Sequence, residues 1–151
     1  MITVLAIGKK HEDWIIPGLE RYQKRLVKPW DCTWELLPHS SLEGLTARQE
    51  ESERILKRLN DDSFVVLLDE TGAMLSSPKF ASLCESQFTY GKSITCIIGG
   101  AYGVTDELKN RADYIWSLSP LVFPHQLVRL MLIEQLYRAQ EIVRGGQYHH
   151  L

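Results

Sequence analysis

The sequence lacks any apolar run near the ~20 residues that a membrane-spanning helix needs. Its opening, MITVLAIGKKHEDW, puts its charges after the apolar stretch and not before it, the reverse of a secretory signal, so the cytoplasm is the expected compartment. Cysteine is sparse. Cys32, Cys84 and Cys96 include no CxxC pair, which excludes zinc-ribbon and thioredoxin-type sites, and they read as packing thiols with no metal expected. Net charge is nearly absent too: 17 Lys and Arg face 19 Asp and Glu, leaving −2. Composition therefore does not announce a nucleic-acid partner, and the distribution of charge has to carry that argument. Repeats, low-complexity tracts and linkers are missing. So are GxSxG, HExxH and GxxxxGK[ST]. The segment IGGAYG is not GxGxxG, because Ile98 stands where the first glycine would be, which disfavours a dinucleotide fingerprint.

What is present is an ordinary globular composition, 44% hydrophobic and 24% charged, over a length that suggests one domain, 1–151. Apolar, β-branched runs alternate with helical patterns. Strands are expected at 2–7, 32–37, 64–68, 93–98 and 113–117. Helices are expected at 13–27, with Pro17 as a possible first position, and at 46–59, with Ile55 and Leu59 as an inner stripe. Further helices are expected at 77–87, started by Ser76 or Ser77 before Pro78, at 105–110, capped by Thr105, and at 124–143, closed by Gly145 and Gly146. Continuous apolar strands separated by helices imply an α/β fold with a mostly parallel sheet covered on both faces.

Ligands of such sheets bind outside the carboxyl ends of the strands. This selects the loops after Leu68, Ile98 and Ser117: DETG, GGAYG and LSPLVFPH. The glycines have two readings, a close approach of backbone to a ligand and a tight strand-to-helix turn. The helix 124–143 is apolar nearly all round, which points to cover by a second subunit. Arg129 lies inside that stretch, where its charge either snorkels or faces an interface cleft. Glu134 and Arg138 have the i,i+4 spacing of an ion pair. Lys9, Lys10, Arg21, Lys24, Arg25, Arg138 and Arg144 are candidate phosphate contacts, with Tyr22 interleaved, against the simpler reading of a solvated face. Residues alone lead to a dimeric α/β protein with a three-loop ligand site and no named ligand.

The segments VLAIGK, LLDETG, IIGGAYGV, SLSPLVFPHQLVRLMLIEQLYRA and the terminal RGGQYHH together resemble the ribosomal RNA large-subunit methyltransferase H family, of the SPOUT superfamily. The resemblance runs the whole length and is most specific from Ile98 to His149. It departs at His150, where many members carry Arg or Lys.

The resemblance implies an S-adenosylmethionine-dependent enzyme that methylates N3 of a pseudouridine in 23S rRNA. It also implies a homodimer and a C-terminal trefoil knot, which runs against the general rule of unknotted chains. Carried over by position, the cofactor contacts are Leu68, Gly99, Leu118, Ser119, Pro120, Leu121, Val122 and Phe123. An imide nitrogen must lose its proton, so a general base is required. His149 and His125 are the candidates, with Tyr148 or Arg129 orienting the base or stabilising the anion; the Tyr148-His149 tail is preferred. Low net charge suggests that the assembled 70S ribosome supplies further contacts. The competing readings are a SPOUT enzyme acting on transfer RNA, a non-catalytic cofactor-binding protein and a structural dimer.

Overall fold

The computed structural model describes residues 1–150. Five strands, β1 (Ile2–Ile7), β2 (Cys32–Leu37), β3 (Phe64–Met74), β4 (Ile94–Ile98) and β5 (Tyr114–Ser117), alternate with five helices. The helices are α1 (Ile16–Gln23), α2 (Gly44–Leu56), α3 (Ser77–Thr89), α4 (Asp106–Arg111) and α5 (His125–Val143). The strands form one sheet in the order β2-β1-β4-β3-β5, and every pairing is parallel.

The handedness of crossovers explains the layering. From β1 to β2 the chain moves toward one edge; from β2 to β3 it moves back; from β3 to β4 it reverses again, and from β4 to β5 once more. A right-handed connection puts its helix on the opposite face each time the direction changes. Accordingly α1 and α3 pack with α5 on one face, through Leu19, Phe80, Ala81, Cys84, Leu132, Ile133 and Leu136. Ile55 of α2 and Leu108 of α4 pack on the other, over Leu5, Ile7, Val65, Leu67 and Ile97. The strand alternation follows: Val4 and Ala6 face the first layer, Leu5 and Ile7 the second.

Several expectations meet the structure closely. Ser76 Oγ accepts from Lys79 N at 3.3 Å with Pro78 just inside α3, and Thr105 Oγ1 accepts from Leu108 N at 3.3 Å at the start of α4. All three cysteines are free and buried, and burial pushes the Cys32 thiol up to about 12. Others need correction. DETG is not the loop its polarity suggests: β3 continues through it to Met74, and Ala73 and Met74 pair with Trp116 and Ser117 beyond a register shift. Leu68 and Ala73 both register with Trp116, so the polar residues 69–72 bulge out between them, with Asp69 Oδ1 accepting from Thr71 N at 2.9 Å. The helix expected at 13–27 is only eight residues long, Ile16–Gln23. Helix α5 is not uncovered on all sides: Leu132, Ile133, Leu136 and Ala139 are fully buried within this one chain, wedged between α1 and α3, while Leu127, Leu130 and Met131 stay half-exposed. No helix of the described residues is long and apolar enough to cross a membrane.

Candidate active site

The loops after β3 and β4 lead to helices on opposite faces, α3 and α4. Backbones that diverge this way leave a crevice at the carboxyl edge of the sheet. A cleft of about 350 Å³ occupies that place. Its walls come from the three expected loops: Leu68, Asp69 and Glu70 after β3's core, 99–104 after β4, and 118–123 after β5. Of the residues carried over as cofactor contacts, Leu68, Gly99, Leu118, Ser119, Leu121, Val122 and Phe123 line it; Pro120 is exposed on the same loop but does not. Leu121 and Val122 are largely exposed, at 68% and 80%, so the 118–123 loop forms an open apolar rim.

Three lining residues escape sequence reasoning. Arg48 arrives from α2, and its Nε donates to the Tyr102 carbonyl at 2.6 Å. Trp116 forms part of the floor, stacked on Phe80 with centroids 4.2 Å apart. Its indole Nε1 is buried with no acceptor. Val128 enters from α5. Only Trp116 left a signal, as the large aromatic at the end of a short strand; the other two depend on non-local packing.

The four candidate catalytic residues fall into three places. His125, the first residue of α5, lines the cleft half-buried. Burial, and then the nearby Arg129 and His39 charges, hold its imidazole below the ordinary value, opposed by Glu51. Arg129 does not line the cleft. It is fully buried one turn further along α5, and it neither snorkels nor faces an interface. Its Nη2 donates to the carbonyls of Ile7 (3.0 Å) and Gly8 (3.1 Å), and its Nη1 to that of Lys10 (3.1 Å). Gly8, at φ +119°, makes this possible: a Cβ there would come within 2.8 Å of Nη2. Arg129 thus fastens the turn after β1 to α5.

Tyr148 and His149 lie against the C-terminal half of their own α5, not in the cleft of this chain. Tyr148 Oη donates to Glu134 Oε1 at 3.0 Å, and the Arg138 guanidinium sits 4.7 Å over the Tyr148 ring. Arg138 also donates to Glu134 through Nε and Nη2, at 3.0 and 2.6 Å, which forms the expected ion pair. Its Nη1 is 3.2 Å from His149 Nδ1, while His149 Nε2 is buried without a partner. The tail also meets Tyr137 edge to face at 4.8 Å. Of the basic candidates, Lys9, Lys10, Arg21, Lys24, Arg25 and Arg144 are exposed; Arg138 is mostly covered by its pairing. Arg25 stands 5.9 Å from the centre of the Tyr137 ring, so the basic end of α1 and the tail share one aromatic and cationic surface.

A family model described as a predicted SPOUT methyltransferase matches residues 1–149. Proteins named ribosomal RNA large subunit methyltransferase H match over 98% of each chain, with 42% identity for that of Acetivibrio thermocellus and 40% for those of Desulfitobacterium hafniense and Shouchella clausii. The chain belongs to the ribosomal RNA large subunit methyltransferase H family of SPOUT methyltransferases. Membership gives the chain a chemical class, methyl transfer acting on large-subunit rRNA, and agrees with its parallel α/β sheet and with the absence of a GxGxxG turn.

Proposed function

We propose that the chain is an S-adenosylmethionine-dependent 23S rRNA methyltransferase that modifies N3 of a pseudouridine, acting as a cytoplasmic homodimer on the assembled 70S ribosome. The observation that carries this reading is the cleft at the point where the β3 and β4 connections part. It collects seven of the eight contacts carried over from the family on three separate loops. The cleft suits such a cofactor. Its volume lies within the range of small-molecule sites. Leu68, Leu121 and Phe123 offer apolar surface for an adenine ring, and the glycines at 99 and 100 bring bare backbone to the wall. Trp116 Nε1 is a buried donor that a ligand with acceptors would satisfy.

S-adenosylmethionine, when bound, supplies an electrophilic methyl group on a positively charged sulfur. The protein's part is to position the nucleobase and to take its proton. The N3–H of a pseudouridine is an imide proton, and the residues offered for it are His149, our preferred base, and His125. Tyr148, whose phenol is kept protonated by burial and by its hydrogen bonds, can orient either the base or the nucleobase. Because His149 is docked on α5 and not in its own chain's cleft, this reading has the tail of one protomer complete the cleft of the other. The half-exposed Leu127, Leu130 and Met131 support α5 as the dimer surface. The exposed basic groups on the β1 turn and α1 serve as phosphate contacts, few enough that the ribosome must add shape and contacts of its own. The trefoil knot belongs to the same reading, supported by β5 lying beyond β3 and by α5 returning between α1 and α3.

The test is transfer of labelled methyl from S-adenosylmethionine to free 23S rRNA, isolated large subunits and 70S ribosomes, all from cells lacking this gene, with the product digested to nucleosides and identified by mass. N3-methylpseudouridine formed only on 70S particles is the expected result. No transfer to any of the three despite cofactor binding would overturn the reading in favour of another SPOUT activity or a binding role, and a parallel reaction on transfer RNA separates those two.

A further inference from the structure

Helix α2 reads in sequence as a solvated, charged helix, yet one strip of it is built into the back of the cleft. Arg48, Glu51 and Ser52, at i, i+3 and i+4, all face the loop that follows β4. Arg48 Nε donates to the Tyr102 carbonyl at 2.6 Å, and Ser52 Oγ accepts from Thr105 N at 3.0 Å. Between them lies Glu51, 3% exposed. Its Oε2 accepts from Ser40 N at 2.9 Å and stands 3.8 Å from His39 Nδ1. Its Oε1 is buried with no hydrogen-bond partner and presses directly beneath Gly100, where any Cβ would collide with it.

A buried carboxylate with a free oxygen is costly unless something compensates its charge. Among the described residues the only cation within ion-pair distance is His39, largely exposed and charged only when protonated. The buried guanidinium of Arg129 is committed to the β1 turn, and that of Arg48 points to Tyr102. Of the other acids at the cleft, Glu70 is exposed, where solvent screens it, and half-buried Asp69 turns its Oδ1 to Thr71 N and Oγ1. Glu51 is therefore the one carboxylate whose field reaches the glycine wall from the protein side, through low-dielectric backbone.

We propose that Glu51 is a specificity-determining residue that makes the cleft favour a positively charged ligand over its neutral counterpart, and so favours S-adenosylmethionine over S-adenosylhomocysteine. This rests on the cofactor reading above: with the adenine against Leu68, Leu121 and Phe123, the bare backbone of Gly99 and Gly100 is the wall left to admit the methionine part. The two molecules differ by a methyl group and one positive charge at sulfur. Both carry the same amino-acid ammonium and carboxylate, so a negative charge behind the glycine wall separates them only through the sulfonium, which it stabilises. The consequence is functional: the spent cofactor is released more readily than fresh cofactor, and product inhibition is relieved.

The experiment is calorimetric titration of the full-length protein with each ligand separately, for wild type, Glu51→Gln and Trp116→Phe. The Gln variant keeps the shape and the Ser40 hydrogen bond but removes the charge. Its ratio of the two dissociation constants should shift roughly three- to tenfold against S-adenosylmethionine. Trp116→Phe, which removes a donor but no charge, should weaken both ligands by the same factor. An unchanged ratio in a folded Glu51→Gln protein overturns the proposal. Should that variant not fold, wild type alone decides. An analogue carrying an ammonium in place of the sulfonium should bind several-fold more tightly than neutral S-adenosylhomocysteine, and equal affinities overturn the proposal. If wild type binds none of these ligands, the cofactor reading itself fails, an outcome distinct from binding without charge preference.

Discussion

At position 129 a full positive charge sits in the core, held by the carbonyl oxygens of Ile7, Gly8 and Lys10. Charge-assisted hydrogen bonds of this kind are strong, and removing their donor strands the buried carbonyls of Ile7 and Gly8, while that of Lys10 keeps Gln126 Nε2 at 3.4 Å. Arg129→Met is expected to destabilise the fold by about 2–4 kcal/mol in urea unfolding. Arg129→Lys should recover little, since an ammonium cannot fan out to carbonyls on three residues. A loss under about 1 kcal/mol would mean that the turn after β1 is not anchored this way. His125 allows a second prediction, of pH dependence. Its imidazole is held below the ordinary ~6.5 by burial and then by Arg129, so below that pH the unfolded chain binds more protons than the folded one. The stability contributed is complete above about pH 6.5 and is lost as pH falls toward the folded value. Melting temperatures at pH 7 and pH 5 should therefore diverge less in His125→Gln than in wild type. An equal drop in both would assign the acid sensitivity to other groups, with His11, depressed by the same causes, the first to consider.

At the scale of elements, the sequence was legible wherever a pattern is local. The strand cores, the caps at Ser76 and Thr105, and the three loops that line the cleft follow from β-branched runs, cap chemistry and the strand-end rule. What escaped depends on partners far away in the chain. Pairing of β3 resumes at Ala73 and Met74, beyond the bulge at 69–72, because Trp116 and Ser117 of β5 remain within reach, and no property of DETG encodes that. The inner face of α2 was half read. Ile55 is at the core, but Leu59 lies beyond the helix, and the face runs back through Glu51 to Ala47 in steps of four. A glutamate in register with an alanine and an isoleucine is a visible signal of a buried acid, and the abundance of charge around it concealed that. Arg129 was visible as an anomaly in an apolar helix, but its acceptors belong to a turn more than a hundred residues earlier. The cleft was thus foreseeable as a place, while the groups behind its walls were not.

At the scale of the whole molecule, the separation of tail from cleft has a consequence that symmetry makes quantitative. If Tyr148 and His149 act on the partner's cleft, one protomer with a defective cleft and one with a defective tail still contain one complete site between them. Mixing Gly99→Val protein, whose new side chain would crowd Val104 at the cleft wall, with His149→Ala protein should then restore activity that neither has alone. Random exchange makes half of the dimers mixed, each with one working site of two, so recovery should approach about a quarter of the wild-type rate on ribosomes. A tail that folded back into its own cleft predicts no recovery, because each chain would carry its own defect. Covalently linked dimers sharpen the distinction: with both lesions in the same protomer, the trans arrangement leaves no complete site, whereas the cis arrangement leaves one. The Glu134–Arg138 pair belongs to the same test, since it docks the tail on α5. Glu134→Gln in the tail-donating protomer should lower the recovered rate without changing cofactor affinity, and a change in affinity instead would place this pair's influence within the cleft.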